Sequence, residues 1–182
     1  MIASALAGAP KPDLGSTPPR VLIIGYGNLS RRDDGVAYHA IARLRQRLNL
    51  PPYEQVEDEI LDGEADLVML LLHQLAAELV ETLKDFDTVV FVDAHVQAAD
   101  WEPVHWQEIV PAYQPSLVTH HLRPAALLAL CTSLYGRTPQ GYVLSILGHD
   151  FDFGDELAPD TSARCDQAVN RLMELLAATG HA

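Results

Sequence analysis

Apolar residues in this chain fall into two patterns that alternate: short unbroken runs, and stripes spaced by three or four positions. Residues 21–24 are an unbroken, mostly β-branched run ending at Gly25, as a strand buried on both faces requires. An amphipathic pattern over residues 36–48 predicts a first helix, ended by a loop at Asn49-Leu50-Pro51-Pro52 whose prolines cannot continue it. Residues 67–72 are too continuously apolar for a surface helix and predict the second strand, closed by His73-Gln74. Leu75, Leu79 and Leu83, with Ala76 and Val80, space a second helix. Residues 88–93 give a third strand that stops on an acid, and residues 104–109 a fourth. Only about ten residues separate these two, fewer than a parallel crossover takes, so the fourth is expected antiparallel and near an edge. Pro124 opens a third helix through Leu127, Leu128 and Cys131, residues 141–147 form a fifth strand, and Pro159-Asp160 opens a last helix over residues 161–177. This order predicts an α/β three-layer sandwich: a five-stranded, mostly parallel twisted sheet with one antiparallel edge strand and helices on both faces.

With 182 residues and 48% hydrophobic content the chain supports one buried core. Residues 21–182 read as a single domain, and residues 1–20 as a flexible extension rich in Ala, Gly and Pro. That extension lacks the basic start and apolar core of a secretion signal, which favours the cytoplasm. No apolar run approaches the roughly 20 residues that span a bilayer, so no membrane contact is expected. The net charge of −13 argues against nucleic acid, whose phosphates need cationic partners, and fits a basic or neutral protein. An acidic stretch from Glu54 to Asp66 reads as a solvated loop, or alternatively as a docking surface. Cys131 and Cys165 lie in helical patterns without a CxxC pairing and read as buried thiols.

The chemistry gathers at VLIIGYGNLSRRDDG, residues 21–35. Gly25 and Gly27 allow a tight turn and Asn28 tolerates left-handed φ, so Asp33 and Asp34 fall between the end of a strand and the start of a helix. The plain reading, above all for Asp33, is a cap that complements the positive helix terminus. The sharper reading places Asp34 in the crevice at the sheet's carboxyl edge, where open α/β folds bind ligands. Right-handed crossovers would bring several of Asp34, His73, Asp93 and His149 to that rim. The glycine turn has Ser30 where a dinucleotide fingerprint needs its third glycine, and the second strand ends in His73 rather than an acid. A GxSxG nucleophile elbow is absent from the sequence. What remains are carboxylates at Asp34 and Asp93 and imidazoles at His73, His95, His120, His121 and His149, a mixed set suited to Zn²⁺ or Ni²⁺. Asp93 has the alternative role of accepting backbone N–H bonds from the loop after it. His39, on a helix face, and His105, in an edge strand, are discounted as ligands.

GYGNLSRRDDG resembles the opening motif of the hydrogenase maturation endopeptidases. FVDAH resembles that family's strand-end Asp-Ala, THHLRPAALLAL its Ser/Thr-x-His segment before a helix, and GHDFDFGDELAP its late Phe-x-x-Gly-x-x-Leu-Ser-Pro segment. The likeness runs in order through residues 21 to about 178. It implies a cytoplasmic endopeptidase that removes the carboxyl-terminal extension of a nickel-iron hydrogenase large-subunit precursor once nickel is inserted. Three metal-contacting and catalytic positions carry over onto Asp34, Asp93 and His120, with His121 as the fallback for the last and Asp33 and His73 as secondary candidates. The family's Asp-Gly-Gly/Thr after the second strand has two counterparts, Leu61-Asp62-Gly63 and His73-Gln74-Leu75, and the apolar run at residues 67–72 favours the second. HQLAAEL also resembles the form found in the subgroup that matures bidirectional, NAD(P)-linked hydrogenases. The implied partner is the nickel-loaded precursor, with nickel carried by the substrate rather than resident, and zinc or another divalent ion able to bind in vitro. The alternative is a non-catalytic, metal-sensing docking module or chaperone for a metalloprotein; the two part on whether the precursor is shortened. A third reading, a nucleotide-binding enzyme, predicts thermal stabilisation by NAD or ATP.

Overall fold

The computed structural model describes residues 18–52, 66–112 and 122–181. Expectations that rest on residues 1–17, on the acidic stretch before Asp66, on Asp62, and on His120 and His121 lie outside the described residues. Strands β1 (Val21–Tyr26), β2 (Leu67–Leu72), β3 (Thr88–His95), β4 (Val104–Glu108) and β5 (Gln140–Leu147) form one sheet in the order β2-β1-β3-β5-β4. β1, β2, β3 and β5 are parallel, and β4 pairs antiparallel with β5 at the edge, as the short connection from β3 demands. Helices α1 (Val36–Arg47) and α4 (Pro159–Thr179) cover one face, and α2 (Leu79–Leu83) and α3 (Pro124–Tyr135) the other. This is the predicted three-layer α/β sandwich.

Alternation along each strand feeds both layers. Ile23, Val90, Val92, Leu144 and Ile146 pack with α1 and α4, while Leu22, Ile24, Val89 and Phe91 pack with α2 and α3. Both faces being dry, the strands carry unbroken apolar runs instead of an alternating pattern. Cys131 and Cys165 are buried free thiols within these layers. Among the described residues no helix is long and apolar enough to cross a membrane.

Two expectations need correction. The second helix does not begin at Leu75: α2 covers only Leu79–Leu83, and Leu75 is buried from the irregular segment that precedes it. An apolar stripe records which side chains reach the core, and an irregular backbone can deliver them as well as a helix. β1 and β3 also run past their expected ends, to Tyr26 and His95. Those added residues matter because β1 is flanked by β2 on one side and β3 on the other. The chain order therefore reverses between β1 and β3, and their carboxyl ends frame a crevice at the topological switch point.

Candidate active site

The turn leaving β1 is set by Gly27. Its φ of 142° is a conformation that side-chain-bearing residues rarely adopt, and a β-carbon there would run into the backbone carbonyl of Asp34. Glycine thus lets a short 3₁₀ turn, Arg32–Gly35, lie against the end of the strand. The Asn28 backbone N–H donates to Asp34 Oδ2 at 3.0 Å, fixing that carboxylate. Asn28 itself does not take the left-handed step; Arg32 does, at φ 41°, with its N–H donating to the Gly154 carbonyl at 2.8 Å. Gly27→Ala is expected to destabilise the protein by about 1–3 kcal/mol and to displace Asp34, read as a lowered melting temperature. An unchanged melt would show that the turn does not need its glycine.

The two adjacent aspartates diverge. No side chain caps α1, so the capping expectation fails there. Asp33 is instead fully buried and reaches across to the other end of the sequence. Its Oδ2 accepts the backbone N–H groups of His149 at 2.8 Å and Asp150 at 3.0 Å and the Thr161 hydroxyl at 2.8 Å, and its Oδ1 accepts the Ala158 N–H at 2.8 Å. Burial works to raise its pKa, but these four donors outweigh it and hold the carboxyl below its ordinary value. Asp34 stays half-exposed and lines the crevice.

Asp93 ends the apolar run of β3 on the α2/α3 side. Its Oδ1 accepts the Ala94 N–H at 2.7 Å, and the Tyr26 hydroxyl donates to its carboxylate across the β1/β3 crevice. Burial pushes Asp93 up to about 7; the nearby charge of Asp34 adds to this, while the bonds from Tyr26 and Ala94 oppose it. The Tyr26 hydroxyl is in turn pushed up by burial and by Asp93. Each carboxylate faces its own cavity. One of about 430 Å³ is lined by Tyr26, Asp93, Arg123 and Ser145, one of about 550 Å³ by Asp34, Val96 and Phe151, and Ala94, His95 and Trp101 belong to both. His95 shares the Asp93 side of β3 by strand alternation, and its Nδ1 hydrogen-bonds Ser145 Oγ at 2.9 Å. Burial, then His105 and Arg164, lower the His95 pKa.

The remaining candidates are scattered. His73 is exposed beyond β2, with β1 standing between it and β3. His149 is exposed, gives its backbone N–H to Asp33 and lines neither cavity. His39 Nε2 bonds the Asp155 carbonyl at 3.1 Å. His120 and His121 lie outside the described residues, but the chain on their far side, Arg123 and Pro124, lines the Asp93 cavity. Among the described residues no three His, Cys, Asp or Glu side chains are placed to hold a metal ion. The crevice itself offers the oxygens of Asp34 and Asp93, a donor type that suits a divalent cation. Tyr26, Trp101 and Ser145 escaped the sequence reading. Ser145 alone left a signal there, as the single hydroxyl among the apolar residues of VLSIL.

No family model matches this chain, and no curated protein does. Solved structures do. The maturation protease HycI of a nickel-iron hydrogenase from Thermococcus kodakarensis shares 19% identity, with 89% of this chain and 95% of that one covered and a TM-score of 0.58. The hydrogenase maturating endopeptidase HybD from E. coli shares 19% identity over 88% of this chain and 94% of its own, with a TM-score of 0.62. HybD from T. kodakarensis, also a nickel-iron hydrogenase maturation protease, shares 20% identity over 86% and 98%, with a TM-score of 0.58. This chain has the fold of hydrogenase maturation proteases.

Proposed function

We propose that the chain is an endopeptidase that removes the carboxyl-terminal extension of a nickel-iron hydrogenase large-subunit precursor after nickel insertion, recognising nickel that the substrate carries. The supporting observation is the placement of Asp34 and Asp93 at the β1/β3 crevice, where burial first and then the nearby charge of Asp34 raise the Asp93 pKa. A carboxyl kept protonated by burial and by a nearby like charge gains from a cation bound at the crevice, and Asp93 would give up its proton on binding one. Asp34 and Asp93, with His120 or alternatively His121, would supply oxygen and nitrogen ligands to nickel on the incoming subunit. A correctly loaded precursor is thereby positioned for cleavage. The cation can polarise the scissile carbonyl, and a carboxylate can take a proton from the attacking water and pass it to the leaving amine.

The test is incubation with nickel-loaded precursor, that of a bidirectional NAD(P)-linked hydrogenase being the first to try, followed by mass measurement of the large subunit. The expected product is a shortened subunit. Asp34→Asn, which keeps the acceptor for the Asn28 N–H, is expected to melt within a few degrees of wild type and to lose at least about 100-fold in cleavage rate. Stable retention of the loaded precursor without shortening would favour the docking module instead.

A further inference from the structure

The cavity beside Asp34 has walls that metal recognition does not use. Apart from Asp34 and the His95 ring, it is lined by Ala94, Val96, Ala98, Trp101 and Phe151. Val96 is 65% exposed and Trp101 39% exposed, so this apolar surface faces water. Exposed apolar patches of this kind mark interaction sites. The indole is nonetheless held in place. It stacks flat on His105, with centroids 4.3 Å apart and planes 5° from parallel, and meets the His95 ring edge-on at 5.1 Å. Both imidazoles are themselves tied down, His105 Nε2 to Gln107 Oε1 at 3.3 Å and His95 Nδ1 to Ser145 Oγ at 2.9 Å. An exposed aromatic immobilised before any partner arrives loses little side-chain entropy on binding. Trp so placed is a typical binding hot spot.

We propose that this cavity is a side-chain subsite, with Trp101 as its platform, that receives an uncharged apolar side chain of a bound polypeptide. The inference rests on the protease reading above and names the part of the substrate that this half of the crevice reads. The volume of about 550 Å³ lies within the roughly 300–1,000 Å³ of ligand sites. Trp101, His95 and Ala94 also wall the Asp93 cavity, so the occupant of one space continues into the other, as an extended chain does. The Asp34 carboxylate within the lining rejects acidic side chains. Trp101 is a specificity-determining residue here, acting on binding rather than on bond cleavage.

The chain has Trp101 and Trp106 as its two indoles, and Trp106 packs on Tyr142 and the α1/α4 layer, so Trp106→Phe leaves Trp101 as the reporter. This variant is titrated with a synthetic peptide of the precursor's carboxyl-terminal segment and with peptides in which each apolar residue is replaced in turn by aspartate. The expected result is a blue shift of Trp101 emission that one replacement abolishes. In steady-state cleavage of nickel-loaded precursor, Trp101→Ala is expected to raise KM about tenfold with kcat within twofold, and Trp101→Phe to restore most of it. Cleavage with an unaltered KM in Trp101→Ala and no spectral change would overturn the subsite while leaving the protease reading intact. A blue shift abolished by one replacement, with no cleavage by wild type, would uphold the subsite and overturn the protease reading.

Discussion

Asp93→Asn is expected to abolish cleavage of nickel-loaded precursor and, at the same time, to make the protein more stable above pH 7. Both effects come from the position of one carboxyl at the end of β3. Folded, Asp93 ionises at about 7, against an ordinary value near 3.8. Below that ordinary value it is protonated in both states and costs nothing. As pH rises, the unfolded chain releases its proton while the folded protein retains it, and stability falls until pH passes about 7, where the loss is complete. The full penalty is at most about 4 kcal/mol. Asparagine has nearly the same shape, carries no charge and still offers an oxygen to the Ala94 N–H and a polar partner to the Tyr26 hydroxyl. Thermal melts should therefore show the variant about 2–4 kcal/mol more stable at pH 8, some 5–10 °C, with the gap closing toward pH 4. Cleavage should drop by about 10²- to 10⁴-fold, because the amide neither carries the charge that attracts a cation nor takes a proton from water. A variant that cleaves at the wild-type rate would remove Asp93 from the mechanism. One that melts alike at pH 8 and pH 4 relative to wild type would show that the carboxyl is not strained by burial.

How much of this was legible beforehand follows from which interactions are local. The strands declared themselves because both faces of the sheet are covered, so Val21 to Ile24 and Leu67 to Leu72 have no polar positions to confuse the pattern. The antiparallel edge placement of β4 followed from chain length alone, since the segment after His95 is too short to cross over. Sequence spacing was less able to fix the extent of α2, because Leu75 reaches the core without helical backbone. It was weakest across the crevice. Tyr26 and Asp93, and His95 and Ser145, meet through strand register that no local period links, while Trp101 and His105 lie close in sequence and meet through the course of the chain into β4. The sequence set Asp34 apart as the crevice candidate, but what occupies Asp33 is decided by the loop after β5. Its N–H groups fill one carboxylate and leave the other facing the crevice.

That division gives the largest stability effect expected in the molecule. Asp33→Ala would leave the N–H groups of His149, Asp150 and Ala158 and the Thr161 hydroxyl without their common acceptor, in a place that side-chain burial keeps from water. Removing an ionised acceptor from several buried donors costs about 3–5 kcal/mol, or some 10 °C in melting temperature for a chain of this size. Asp33→Asn is expected to fare little better, because it removes the charge and its amide nitrogen, even in the Oδ1 position, turns its hydrogens toward the Ala158 N–H, which already donates. Thr161→Val, which removes one donor and keeps the rest, should cost about 1–2 kcal/mol. The pH dependence has the opposite sign to that of Asp93. The Asp33 carboxyl is held below its ordinary pKa, so its contribution is complete above the ordinary carboxylate range and is lost as pH falls through the lowered folded value. Wild type should therefore lose stability in acid more steeply than Asp33→Asn, and the two curves should approach each other at the lowest pH. Asp34→Asn, one residue along, should show neither the loss of stability nor the altered acid limb. If Asp33→Ala melted within about 2 °C of wild type, the clasp between the 3₁₀ turn and the start of α4 would not be what holds the crevice wall in place.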